Sequence, residues 1–169
     1  MRVLLLSDTH SFFDPNWEKY AVTCDEIWHA GDIGDLKVTD QLRNWKPIKA
    51  VYGNIDGASV RSEFPEYIIF TADGVKVLMI HIGGYPNHFS PQSRKLIQAH
   101  KPDLFICGHS HILRVIYDKK LNLLTMNPGA AGMTGFHTIR TMLRFSLIDG
   151  RITDAEVIEL KAREKKISP

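Results

Sequence analysis

The sequence is poor in the features that mark secreted or membrane proteins. Only two of its 169 residues are cysteine, Cys24 and Cys107. Both lie in apolar stretches, so there is no disulfide framework, and the expectation is a pair of reduced structural thiols in a cytoplasmic protein. No apolar run approaches the roughly 20 residues that a membrane-spanning helix needs. The opening segment MRVLLLSDTH holds a short apolar run before a polar break. That run is too short for a signal-peptide core and is expected to form a first strand that stays in the protein. Charge of one sign is also scarce. Against 21 Lys and Arg stand 19 Asp and Glu, a formal net charge of +2 with histidines neutral. This excess carries no signal for nucleic acid or for an acidic membrane surface. Linkers, low-complexity segments and repeats of solenoid length are missing as well.

What remains is an ordinary globular composition, 44% hydrophobic and 24% charged, in a chain long enough to bury one substantial core. A single domain is expected over residues 1–160. The charged segment KAREKKISP at 161–169 is expected to fray.

Strand and helix signals alternate along this domain. Residues 3–6 form a continuous apolar run, the pattern of a strand buried on both faces. EIWHAGD and IKAVYGN predict two more strands. EYIIFTADGVKVLMIHI predicts two β-runs joined at Asp73 and Gly74, a hairpin signal. DLFIC predicts a further strand. Helices are predicted at DPNWEKYA, with Asp14 as N-cap and Pro15 at the first position, and at DLKVTDQLRNW, stopped by Pro47. Another is predicted at SPQSRKLIQAHKP, with Ser90 as N-cap and Pro91 at the first position. The segment after Asn54 is expected to be irregular. Beyond Ile112 the signals turn mostly β, with hairpins expected around residues 118–120 and at Asp149 and Gly150. The pattern is an α/β domain that begins with βαβ units and ends in antiparallel strands.

The polar residues that follow these strands are unusually uniform. Strand one ends in SDTH, with Asp8 and His10. The next ends in AGD, with Asp32, and the third in GN, with Asn54. The second half of the Asp73–Gly74 hairpin ends in His81. FICGHSHI supplies His109 and His111. Ligands of open α/β sheets bind beyond the carboxyl ends of the strands, where residues distant in sequence converge. Neutral imidazoles and carboxylates are the usual ligands of divalent manganese, iron, nickel or zinc. In an extended segment, residues two apart point the same way, so D-x-H and H-x-H can each offer two ligands to one cluster. Gly31, Gly53 and Gly108 are expected to permit sharp turns at the strand ends. His29, in the middle of its strand, is expected to be a satisfied core imidazole. Residues 127–129, NPG, are expected to form a tight turn behind the ligand loops.

The series D-x-H, G-D, G-N, H and G-H-x-H resembles the calcineurin-like metallophosphoesterase superfamily. Here it is Asp8-Thr9-His10, Gly31-Asp32, Gly53-Asn54, His81 and Gly108-His109-Ser110-His111. Short length and the NPGA segment make the chain most similar to that group's small single-domain prokaryotic phosphodiesterases. The resemblance implies a four-layer α/β/β/α sandwich, metallo-dependent phosphatase-like, with two divalent ions, manganese foremost, with iron, nickel or zinc as alternatives. It implies one ion held by Asp8, His10, Asp32 and His111. The other would be held by Asp32, Asn54, His81 and His109, with Asp32 bridging. It also implies a hydroxide between the ions as nucleophile toward a small phosphoester. Two divalent cations, two carboxylates and one hydroxide leave a single net positive charge, suited to an anionic ester.

Two departures accompany the resemblance. Many relatives carry a histidine after the asparagine, taken to assist the leaving group; here Ile55 stands there and cannot donate a proton. General acid assistance is typically worth about 10²–10⁴-fold, so its loss biases the chain toward good leaving groups. Asp56, after Ile55, is either a residue that supports the site from behind its ligands or a surface turn. The HIGGY segment places Ile82 where relatives have glycine. Phe12, Tyr85, His88, His137 and Arg140 are candidates for substrate contact, each with an ordinary loop or packing role as the alternative. The same fold also resembles the retromer subunit that serves as a docking scaffold, so a non-catalytic or weakly catalytic interaction protein is the alternative function. Late strands offering an edge leave room for a homo-oligomer.

Overall fold

The structure, a computed structural model, describes residues 1–160. The expected charged tail at 161–169 lies outside the described residues. The strands are β1 (Arg2–Leu6), β2 (Glu26–His29), β3 (Ile48–Ala50), β4 (Tyr67–Ala72), β5 (Val75–Ile80), β6 (Leu104–Ile106), β7 (Leu113–Asp118), β8 (Leu123–Pro128), β9 (Thr141–Ile148) and β10 (Arg151–Glu159). The helices are α1 (Glu18–Ala21), α2 (Leu36–Trp45), α3 (Ala58–Glu63) and α4 (Pro91–His100), and a 3₁₀ turn at Pro15–Trp17 leads into α1.

Local chemistry accounts for most of these boundaries. The Asp14, Asp35 and Ser90 side chains accept from the backbone N–H groups of Asn16, Lys37 and Ser93, orphan donors of a first helical turn. The expected hairpins form, β4 pairing with β5, β7 with β8, and β9 with β10. One expectation fails. The stretch taken as irregular contains α3, whose only buried residue is Val60. A six-residue helix with one inward apolar side chain leaves no periodic signal to read.

The strands make two mixed five-stranded sheets. One has the order β10-β9-β1-β2-β3, and the other β4-β5-β6-β8-β7. In the first, β1, β2 and β3 run parallel; in the second, β5, β6 and β8 do. Alternation within β1 explains the layering. Val3 and Leu5 point into an inter-sheet core with Val77, Met79, Ile106 and Phe145. Leu4 and Leu6 point the other way, into a layer with Trp17, Val38, Leu42 and Val60 from the helical side. Leu78, Ile80 and Phe105 of the second sheet pack against Ile97 of α4. Three apolar interfaces separate four layers, α/β/β/α, as the resemblance implies. Trp28 crosses the central interface, its ring 5.0 Å from Phe70 and edge-on. No helix of the described residues is long and apolar enough to cross a membrane.

Parallel pairing has one consequence for function. The carboxyl ends of β1, β2 and β3 emerge along one edge of the first sheet, and those of β5 and β6 along one edge of the second. The two edges are tied together there. Asp8 N–H donates to Gly31 O at 3.0 Å within the first edge, Gly108 N–H donates to His81 O at 3.0 Å within the second, and the His81 ring joins the two by donating to Ala30 O at 2.8 Å.

Candidate metal centre

The seven strand-end residues come together at that shared edge, in two groups. Asp8, His10 and His111 form one trio, and Asp32, His81 and His109 the other. Within each, the potential ligand atoms lie within 4.8 Å of one another. His111 Nε2 is 3.1 Å from Asp8 Oδ1, and His81 Nε2 is 3.2 Å from Asp32 Oδ1. Asn54 joins the second trio through Oδ1, 3.2 Å from His81 Nε2. Asp32 faces both groups, with Oδ1 toward His81 and Oδ2 3.6 Å from His10 Nε2. G-H-S-H thus sends its two histidines to different trios, not to one face.

Nor is the backbone extended. Asp8, His10, Asp32, His109 and His111 all have positive φ, between 47° and 67°. Left-handed conformations of non-glycine residues cost of order 1–3 kcal/mol each, so the folded surroundings hold five candidate ligands in place against that cost. The expectation about glycine also changes. Gly31 turns the chain, with φ +93°, but Gly53 and Gly108 do not adopt the left-handed region. They are needed for room. A Cβ at Gly53 would lie 2.0 Å from Asp32 Oδ1, and one at Gly108 would lie 2.0 Å from Ser7 Oγ.

Neighbouring groups orient the donors. Asp8 Oδ2 accepts from Ser7 Oγ at 2.6 Å and from His109 N–H at 3.1 Å. Those bonds leave Oδ1 buried without a hydrogen-bond partner, and His10 Nε2 is in the same condition. His81 donates Nδ1–H to Ala30 O, which turns Nε2 toward the trio. Ile55 contributes its backbone N–H to Asp32 Oδ1 at 3.1 Å. Asp56 is 3% exposed, so it is no surface turn. Its carboxylate accepts from Ile33 N–H (3.1 Å), Gly34 N–H (2.6 Å) and Gly53 N–H (2.7 Å) and pins the Asp32 loop to the Asn54 loop. Arg61 donates to the carbonyls of Asp56 and Gly53 and stacks on Tyr52.

Burial opposes charge on His81, yet the Asp32 and Asp8 carboxylates outweigh it and raise its pKa. Burial likewise acts to raise the Asp32 carboxyl, and the His81 and Ile55 hydrogen bonds overcome it and lower its pKa. His29 behaves differently. Complete burial pushes it down to about 4. Its Nδ1 accepts from Gly31 N–H at 3.2 Å, and its Nε2 sits 3.0 Å from Thr9 Oγ1. It is the satisfied core imidazole expected, and it braces two ligand loops from beneath.

The donor set fits divalent cations. Two compact groups of carboxylate oxygen and imidazole nitrogen share an aspartate, and two buried donor atoms have no hydrogen bond. A buried carboxylate oxygen in that state costs free energy that a cation would recover.

The candidate substrate residues are more dispersed. His137 is half-buried, its ring 5.2 Å from His111, with Nε2 donating to Gly132 O. Arg140 is 4% exposed, its guanidinium turned to Asp14, Ala131 O and the Phe12 ring. Phe12 also packs on Trp17. Tyr85 and His88 pair beside the second trio, with ring centroids 4.8 Å apart. Asn127 and Pro128 end β8 rather than forming the turn expected of them. The Asn127 amide donates to Gly108 O at 2.7 Å and to Ser110 Oγ at 3.2 Å, so it steadies the GHSH loop. Sequence reasoning passed over Ser7, Thr9 and Arg114; the only signal was that the first two flank Asp8.

Comparison with known proteins places the family and the fold. The pattern of the calcineurin-like phosphoesterase superfamily domain matches residues 1–150. A probable metallophosphoesterase of Methanothermobacter thermautotrophicus is 30% identical over 138 residues, 80% of this chain and 76% of the relative. Among solved structures, an archaeal phosphodiesterase superposes with a TM-score of 0.72 at 23% identity, covering 95% of this chain and 100% of its own. Vps29 of Entamoeba histolytica, complexed with zinc, superposes with a TM-score of 0.70 at 16% identity, covering 94% of this chain and 99% of its own.

Proposed function

The chain belongs to the calcineurin-like phosphoesterase superfamily, and from that premise we propose that it is a phosphodiesterase dependent on two divalent ions, manganese foremost. Asp8, His10 and His111 would hold one ion; Asn54, His81 and His109 would hold the other; Asp32 would serve both. The observation that carries this reading is the pair of trios sharing Asp32, with Asp8 Oδ1 and His10 Nε2 buried and lacking hydrogen bonds. Bound ions would supply Lewis acidity toward a phosphoryl oxygen and lower the pKa of water.

The protein's own residues do the positioning. Ser7 and the His109 N–H occupy one oxygen of Asp8, so the other is presented in a single orientation. Ala30 O fixes the His81 tautomer. Asp56 holds the Asp32 and Asn54 loops at one separation through three backbone N–H groups. No proton donor stands at the leaving-group position occupied by a histidine in many relatives. Ile55 fills it with a side chain 45% exposed, which favours esters with good leaving groups.

The test is hydrolysis of bis(p-nitrophenyl) phosphate in added manganese. Turnover is expected to be abolished by chelator, restored by metal, and reduced about 10²–10³-fold by Asp8→Asn or His109→Ala, the loss typical of removing one electrostatic stabiliser. A second reading is a scaffold of the same fold. It is supported by the Vps29 likeness and by the exposed Val115, Ile116 and Tyr117 on the edge strand β7. Full metal occupancy without turnover of any phosphoester would favour the scaffold.

A further inference from the structure

A cavity of about 470 Å³ opens beside the second trio, with His109 and Ser110 in its wall. That volume falls within the range of small-molecule sites, about 300–1,000 Å³. Its lining is mixed in an informative way. Arg114 lies over the Tyr85 ring, its Cζ 3.9 Å from the centroid. Ion pairs among the described residues engage Arg2, Arg43, Arg140 and Arg144 and leave Arg114 without a carboxylate. Thr125, on β8, lines the cavity at 1% exposure, and its buried hydroxyl has no hydrogen-bond partner. Asn127 also lines it but is already satisfied by Gly108 O, Ser110 Oγ and Gly129 N–H. Ile82 and Ile112, which follow His81 and His111, are exposed at its lip. Burial pushes the Cys107 thiol up to about 12, so that part of the wall stays neutral.

We propose that this cavity receives one ester arm of the substrate, and that the arm is a flat heteroaromatic ring of the nucleobase class. This deepens the phosphoesterase reading and rests on it. A planar ring suits the guanidinium, which stacks on aromatic faces. It covers the two isoleucines at the lip. Its polar edge supplies the partner that the Thr125 hydroxyl lacks. An aliphatic arm would cover the lip but leave the hydroxyl and the guanidinium unmatched. A second anionic group would satisfy Arg114 but leave the apolar lip uncovered.

The experiment is titration calorimetry on the manganese-loaded protein with three non-hydrolysable ligands: methylphosphonate, phenylphosphonate and a 5′-phosphonate analogue of adenosine 5′-phosphate. Affinity is expected to rise in that order, with roughly a tenfold or greater gain from methyl to the adenosine ligand, as base stacking supplies. Arg114→Met should compress the series while leaving methylphosphonate unchanged. Thr125→Val should weaken the adenosine ligand alone, by roughly 3- to 10-fold, with a melting temperature no lower than the parent's. Equal affinity for all three, or equal weakening of all three by Arg114→Met, would overturn the subsite and leave the phosphoesterase reading intact. Binding of none of them to fully loaded protein would overturn both.

Discussion

The two trios of the candidate metal centre offer the same donor chemistry, yet they are held together differently. The Asp32, His81 and His109 group is internally bonded. His81 Nε2 contacts Asp32 Oδ1 and Asn54 Oδ1, its Nδ1 donates to Ala30 O, and the two carboxylates raise its pKa. A proton on His81 can stand in for a cation there. In the Asp8, His10 and His111 group the one comparable contact, His111 Nε2 to Asp8 Oδ1 at 3.1 Å, forms no hydrogen bond. Asp8 Oδ1 and His10 Nε2 are buried without hydrogen bonds. A metal entering the second trio therefore competes with a proton, whereas one entering the first relieves an existing cost. Residues that look equivalent in sequence are unequal in what they contribute before any ion arrives.

Asp32 is the residue on which the two halves depend together, so its removal should have the largest effect. Asp32→Ala is expected to lower the affinity of both ions and to reduce turnover at least about 10²–10³-fold. His10→Ala should empty one site and leave the other filled. Elemental analysis of the purified, dialysed variants checks this: close to one ion in His10→Ala and fewer in Asp32→Ala. One ion retained at full strength in Asp32→Ala would mean that the aspartate serves a single trio.

Without metal the halves should part in the opposite sense. In chelator, His81→Ala removes a buried charge-assisted pair and leaves Ala30 O and Asn54 without their ring partner. The expected cost is about 2–4 kcal/mol. His10→Ala removes a nitrogen that makes no hydrogen bond, and its cost in chelator should stay below about 1 kcal/mol. Denaturant unfolding of the two variants measures both. Equal costs would erase the asymmetry between the trios.

How much of this was legible follows the same division. Continuous apolar runs such as residues 3–6 identified the buried strands, and the polar residues after them identified all seven residues that the fold gathers into the candidate centre, because rigid strand ends are where a sheet presents chemistry. Which ligand joins which trio did not follow from residue spacing. It depends on left-handed backbone at five of these residues, a conformation imposed by neighbouring loops and not by any local propensity. The α3 helix was missed because Val60 alone points inward. The work of Asp56 was half visible. Its place after Asn54 suggested support, but its three N–H partners lie 3 and 22–23 residues away. Arg114 and Thr125 left no signal, since a cavity formed across β6, β7 and β8 exists only once those strands are paired.

His29 carries the comparison from the ligands to the support beneath them, with the smallest expected effect. Burial holds it at about 4 in the folded protein, against an ordinary value of 6.5. Between those values the unfolded chain binds more protons at this position than the folded one, so stability falls as pH falls. The direction is that of a buried neutral histidine forced to charge. Its contribution to the loss between pH 6.5 and pH 5 is on the order of 1–2 kcal/mol. His29→Asn keeps an acceptor for Gly31 N–H and gives up the Thr9 contact, so it should be less stable than the parent at pH 7. Its stability should nevertheless fall less steeply toward pH 5. Urea midpoints of both proteins in chelator, at pH 7, 6 and 5, decide the matter. Parallel slopes would show that the histidine does not titrate in this range and that the ligand loops alone set the acid sensitivity.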